Sequence, residues 1–147
     1  MTQTIRLHKA EKGQSLVELA ISMLIMLILV AGVVDVGRIL FYYIAMRDSA
    51  QEGALYGSAY PTHCNQIEDR ARSSLVDNTG VIVTTLINGG DCSAATPATA
   101  CSGYSLKVTV AQPAFKLTMP FIGGFIGSQS INLEASITNT IVRPLCP

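Results

Sequence analysis

Polarity divides the first sixty positions into a short polar leader up to Gly13, an uncharged and mostly apolar run from Leu19 to Val34, and a further apolar stretch beyond Asp35 and Arg38. No proline occurs between Met1 and Tyr60, and Gly57 with Pro61 supplies the first stop. The pattern therefore predicts one continuous helix over 14–60. Leu19–Val34 alone is short for a membrane span, but Leu16 and Val17 extend it on one side and Ile39–Ile44 on the other, with Tyr42 and Tyr43 suited to an interface. The span expected is about 16–38. Asp35 and Arg38, three apart on one helical face, read as an intrahelical ion pair at headgroup level. Such a helix would be about 70 Å long, more than twice the hydrocarbon thickness of a bilayer, so something besides lipid must cover its second half. Ala45, Ala50, Gly53, Ala54 and Gly57 in that half permit close approach of another backbone. The partner is either the chain's own strands, as is usual for an amphipathic helix, or a neighbouring subunit.

After Tyr60 the period changes. Ile67, Ala71 and Leu75 recur at four-residue steps and predict a short amphipathic helix over 65–77, capped by Asn65 with Glu68 as the reciprocal acid. The β-branched run Val81–Ile87 ends at Asn88-Gly89-Gly90 and reads as a strand followed by a turn. Tyr104–Gln112 alternates through Leu106, Val108 and Val110, and Ile131–Ile141 alternates through Leu133, Ala135 and Ile137. These two form an antiparallel pair. Between them Pro113–Ser130 is unusually apolar for a loop, with Phe115, Leu117, Met119, Phe121, Ile122, Phe125 and Ile126 made pliable by Gly123, Gly124 and Gly127. It either folds onto the spine helix as core or meets another subunit. The fold class expected is α+β: a long hydrophobic spine helix, then one small domain over 61–147 with a short helix and a three-stranded antiparallel sheet.

Charge sets the topology. Arg6, Lys9 and Lys12 against Glu11 precede the apolar run, which keeps the N-terminus cytoplasmic and exports the remainder. The 147 residues are 49% hydrophobic and only 14% charged with no net charge, so a basic nucleic-acid footprint is absent. Without the leader the balance turns mildly acidic. Cys64, Cys92, Cys101 and Cys146 all fall on the exported side, where oxidation is permitted, and can staple a domain too small for a large core. Four cysteines allow three connectivities; the preferred one joins Cys92 to Cys101 around an Ala/Thr/Pro-rich loop and Cys64 to Cys146. Zinc held by these thiols and His63 lacks any paired Cys or His spacing, and no metal or cofactor is expected. Nor is an enzyme, since neither a nucleophile elbow nor a phosphate loop is present and one of the two histidines, His8, lies in the leader.

The sharpest local feature is Lys12-Gly13-Gln14-Ser15-Leu16-Val17-Glu18, which sets a lone carboxylate at the edge of the apolar run. A charge deep in a bilayer costs roughly 2.5 to 3.5 kcal/mol, so an acid there needs a partner. A cut after Gly13 would make Gln14 a free α-amine one helical turn from Glu18. The helix dipole favours an acid in the first turn by only about 0.3 to 1 kcal/mol, less than burial costs. Pairing between Glu18 and the terminal amine of a neighbouring copy supplies more. That contact is head-to-tail, of the kind that generates open filaments.

These residues resemble the class III leader of type IV pilin-like precursors, which a membrane aspartic prepilin peptidase cuts. Within that superfamily the Gly-Gln-Ser-Leu-Val-Glu-Leu wording, the Asp35-Val36-Gly37-Arg38 step and the Tyr/Ala/Gly-rich helix that follows are similar to the TadE-like pseudopilins of tight-adherence (Tad) secretion systems, over residues 12–60. The resemblance implies a leader over 1–13 removed between Gly13 and Gln14, and Glu18 as an assembly contact. It also implies a structural role as a pseudopilin or minor pilin, in the inner membrane before assembly and in an extracellular pilus for adhesion afterwards. Its partners would be other pilin subunits, the prepilin peptidase and an inner-membrane assembly platform. Two other readings share this topology: a secretory signal peptide cut after Val30-Ala31-Gly32, and an uncleaved signal anchor. Under either, the exported part would serve as a binding module presenting its Cys92–Cys101 loop.

Overall fold

The structure, a computed structural model, describes residues 7–119, 123–124 and 127–146. Met1–Arg6 of the expected leader and Phe121, Ile122, Phe125 and Ile126 of the apolar loop lie outside the described residues. With no proline to interrupt it, helix α1 runs unbroken through Leu7–Ala59, 53 residues or about 80 Å. It ends where foreseen: the Tyr60 N–H still donates to the Tyr56 carbonyl, and Pro61 cannot continue the ladder.

Helix α2 covers Cys64–Ser73, shorter than expected at its C-terminal end. Its N-cap is His63 without a side-chain cap bond, so the predicted Asn65–Glu68 box does not form. The disulfide at Cys64 holds the first turn instead. At the other end the Ser73 and Ser74 hydroxyls both donate to the Arg70 carbonyl and compete with the helical ladder, which explains the early stop. Leu75 is buried regardless.

The sheet has four strands, in the order β2-β1-β3-β4 and antiparallel throughout: β1 Ile82–Ile87, β2 Gly90–Asp91, β3 Ser105–Lys116 and β4 Ser130–Thr140. The strand absent from the three-stranded expectation is the two-residue β2. Asn88 and Gly89 both take positive φ, 50° and 83°, the geometry of a two-residue hairpin, so the turn signal folds the chain back instead of merely ending β1. β3 also continues past Pro113, where the sequence pattern stopped. Its pairing with β1 ends at Ala111, leaving β3 a free edge on that side, and the register with β4 shifts between Gln112 and Phe115. Beside an irregular register and without a β1 partner, the missing proline N–H costs little.

One face of the sheet packs on the second half of α1 and on α2. Met46, Ala50, Ala54, Ile67, Ala71, Leu106, Val108 and Val110 form the centre of this core. The small residues of α1 are therefore spent inside the chain. A Cβ at Gly53 would lie 3.0 Å from the Ala71 methyl and 3.1 Å from the Ile67 carbonyl, and one at Gly57 would collide with Leu106. Gly57→Val should cost about 1 to 3 kcal/mol by overpacking. It would lower the melting temperature of the full chain in detergent, and an unchanged melt would mean that the helix and sheet are less tightly joined than this contact implies.

The disulfides correct the preferred connectivity. Cys64 pairs with Cys92 and Cys101 with Cys146, at Cα separations of 5.8 and 5.0 Å. The β1–β2 hairpin, unseen in the sequence, delivers Cys92 directly to the start of α2. The C-terminal segment returns along the Cys101 turn, where Ser102 N–H donates to the Pro144 carbonyl and Gly103 N–H to that of Ile141.

Candidate functional site: an exposed apolar spine and a buried acid beneath the sheet tip

Gly13, Gln14 and Glu18 lie on α1 and all are exposed. The helical repeat puts Gln14 and Glu18, four residues apart, on one face, where they border a shallow depression with Val17 and Ile21. A Cβ at Gly13 would meet nothing within 4 Å outside its own helix backbone. From Leu16 to Val34 the apolar side chains point outward, Leu16 being 68% and Val33 73% exposed. This helix is long and apolar enough to cross a membrane, and none of its most apolar window is buried.

A second cluster forms where the apolar half of α1 ends. Asp35 is only 4% exposed, and its carboxylate accepts the backbone N–H of Thr118 at 2.8 and 2.9 Å and that of Met119 at 2.6 Å. Arg38 lies 3.5 Å from the same carboxylate, donates to the Thr118 hydroxyl, and stacks its guanidinium 5.3 Å from the Phe115 ring centre. Tyr42 completes the stack, 5.2 Å from Phe115. The expected Asp35–Arg38 ion pair is present, yet the principal partners of the acid are two loop amides more than eighty positions away. Its role is to bolt the end of β3 to the spine.

Gln129 performs the complementary task on the far side of the tip. Its side-chain amide donates to the carbonyls of Leu117 and Met119, at 3.2 and 2.8 Å, and accepts from Gly123 N–H at 3.2 Å. Spacing gave no sign of either contact. The Asp35–Arg38 spacing was the one available signal, and it named the ion-pair partner but not the loop amides. The apolar loop thus lies partly on the spine: Phe115 and Leu117 are buried, and Met119 rests over Gly32.

Elsewhere the polar groups do local work. Ser93 hydroxyl and amide bonds to Asp91, and the Thr79 amide on Asp77, hold both carboxyls below the usual carboxylate range. His63 is exposed and stacks on Tyr60. With all four cysteines in disulfides, the thiols that a zinc site with His63 would need are not available.

The described chain is a single apolar spine carrying a small disulfide-stapled α+β head. Residues 13–55, less than a third of the chain, match the family model described as TadE-like protein, so the spine is similar to that family. The match opens on Gly13 and stops short of the sheet. No curated protein and no solved structure matches the chain. The TadE-like likeness suggests a Tad pilus-associated, pilin-like protein of structural kind, and the apolar helix suggests membrane anchoring.

Proposed function

We propose that this protein is a pseudopilin or minor pilin of a Tad-type pilus, made as a precursor, cut between Gly13 and Gln14 by a prepilin peptidase, and assembled through its apolar spine. The units are a leader over 1–13, a spine over 14–60 that spans the inner membrane at about 16–38, and an exported domain over 61–147. The observation that carries this reading is the coincidence at Gly13–Glu18. A family match that begins at Gly13 adjoins an exposed helical turn on which a new amine and a carboxylate would be one turn apart. Arg6, Lys9 and Lys12 keep the N-terminus cytoplasmic, so the head emerges on the opposite side. The assembly platform would draw subunits from the membrane, and the spine, exposed over most of Leu16 to Val34, would exchange lipid for the spines of other subunits. The chain itself would contribute contacts and no catalysis.

Intact mass of the exported protein tests this directly. A chain beginning at Gln14 is expected. A start at Val33 would establish a signal peptide instead, and an uncut leader a signal anchor. Glu18→Ala should still be processed yet enter filaments poorly, as measured by the subunit content of sheared pili, because the amine of the neighbouring copy loses its counter-charge. Normal incorporation would remove Glu18 from the assembly contact.

A further inference from the structure

The bolt at Asp35 fixes the head at a definite height on the spine. Thr118 and Met119 are held to Asp35, and Met119 stands over Gly32, one turn further toward the N-terminus. If the span ends near Arg38, the Gly32 level lies about 9 Å inside it at 1.5 Å per residue. That depth falls in the range of about 5 to 10 Å reached by elements that lie in a membrane interface.

Three features of this tip suit an apolar medium. An apolar groove of about 610 Å³ opens here between Ile28, Leu29, Val33 and Val36 of the spine and Leu117 and Met119 of the tip, continuous with the bare face of the span. From Gln112 to Leu133 the sequence carries one charge, Lys116, and no acid. With Arg38 it places positive charge beside the apolar surface, as anionic headgroups would favour.

The third feature is the most telling. Irregular backbone cannot face hydrocarbon with its polar groups unpaired. Here the N–H groups of Thr118 and Met119 are taken by Asp35 and that of Leu117 by the Gln129 carbonyl. The carbonyls of Leu117 and Met119 and the N–H of Gly123 are taken by the Gln129 side chain, and Gly127 N–H by the Gly123 carbonyl. Among the described residues of the tip, these groups are therefore paired within the chain and need no water.

We propose that the β3–β4 tip is a second membrane-seated element, with the half-buried Met119 facing the acyl chains of the outer leaflet above the buried Leu117, and Lys116 and Arg38 at its phosphates. The tip also roofs Asp35, so the carboxylate meets no lipid. This rests on the reading of the spine as a membrane span, and the test separates the two. The chain has no tryptophan, so single substitutions report without background. The full chain is reconstituted in phosphatidylcholine and phosphatidylglycerol vesicles, with and without bromine on the acyl chains, carrying Leu27→Trp within the span, Met119→Trp or Ser128→Trp at the tip, or Tyr60→Trp at the far end of the spine. The expected result is that the Leu27 and tip tryptophans are blue-shifted and lose most of their fluorescence to bromine, while Tyr60→Trp loses none. Ser128 is exposed, so its variant preserves the packing at Met119. A quenched Leu27→Trp with unquenched tip tryptophans overturns the proposal and leaves the span intact, and a blue-shifted but unquenched tip would assign the groove to a second copy of the chain. If neither site is quenched, the span reading fails and the tip proposal fails with it. Quenching at Tyr60→Trp would also overturn it, because the head would then lie flat on the bilayer.

Discussion

Asp35→Ala is expected to release the sheet tip from the spine and to destabilise the full chain by about 2 to 4 kcal/mol. Two part-buried amides, Thr118 and Met119, lose their acceptor, and each unsatisfied buried donor costs at most about 1 to 3 kcal/mol, some of which water entering the gap restores. Arg38 contributes less to the loss, because its side chain is 48% exposed and can be solvated once the acid is gone. Arg38→Ala should therefore cost only about 1 kcal/mol, mostly from the Phe115 stack and a half-exposed ion pair. Asp35→Asn is the informative intermediate: its oxygen can accept one amide, while its NH₂ presents donors to the other. The ranking Ala, then Asn, then Arg38→Ala in decreasing damage can be read from chemical denaturation in detergent. Hydrogen exchange gives the local readout. In Asp35→Ala the Thr118 and Met119 amides should lose protection, whereas those at the centre of β3 should keep it. Unchanged protection at those two positions would mean that Asp35 is not the bolt.

The outline of the fold was legible because it rests on short-range physics. An unbroken absence of proline wrote α1, alternation wrote β3 and β4, and the small residues from Ala50 to Gly57 announced a close neighbour, which proves to be the chain's own Ile67, Ala71, Leu106 and Val108. Errors arose where one local signal had two outcomes. Asn88-Gly89 is both a stop and a hairpin, and reading it as a stop lost β2. With β2 went the route that carries Cys92 to Cys64, so the disulfide expectation failed for a topological reason and not for any property of the cysteines. Pro113 ends a central strand but not one whose second neighbour has already finished. Asp35 and Gln129 were beyond reach for a different reason: their partners are main-chain groups, which look alike at every position, so side-chain spacing cannot reveal them. The N-terminal features are the opposite case. Gly13, Gln14 and Glu18 carry a reading in sequence that a single chain's geometry does not extend, because their proposed counterparts are other molecules.

Losing the disulfides should have the largest effect of all. By loop entropy alone the Cys64–Cys92 bridge, with a separation of 28, is worth about 3.6 kcal/mol, and Cys101–Cys146, with a separation of 45, about 4 kcal/mol. Together they are comparable with the whole net stability of a typical domain, about 5 to 15 kcal/mol. Full reduction should therefore unfold the head at ambient temperature. The apolar half of α1 meets the sheet only at the tip near Gly32, so in detergent it should remain helical. Circular dichroism is expected to lose its strand contribution and keep a helical one, and retention of the sheet after complete reduction would show that the core suffices without staples. The two bridges should also differ in character. Cys101–Cys146 anchors a C-terminal strap whose Val142 N–H donates to the Ser58 carbonyl at the end of α1, so Cys146→Ser should chiefly fray that strap from the spine. Cys64–Cys92 joins α2 to the sheet across the core, so Cys92→Ser should loosen α2 and expose Ile67. Thiol labelling settles the connectivity in the same samples: Cys92→Ser should free Cys64 alone, whereas a freed Cys101 would restore the pairing that the sequence suggested.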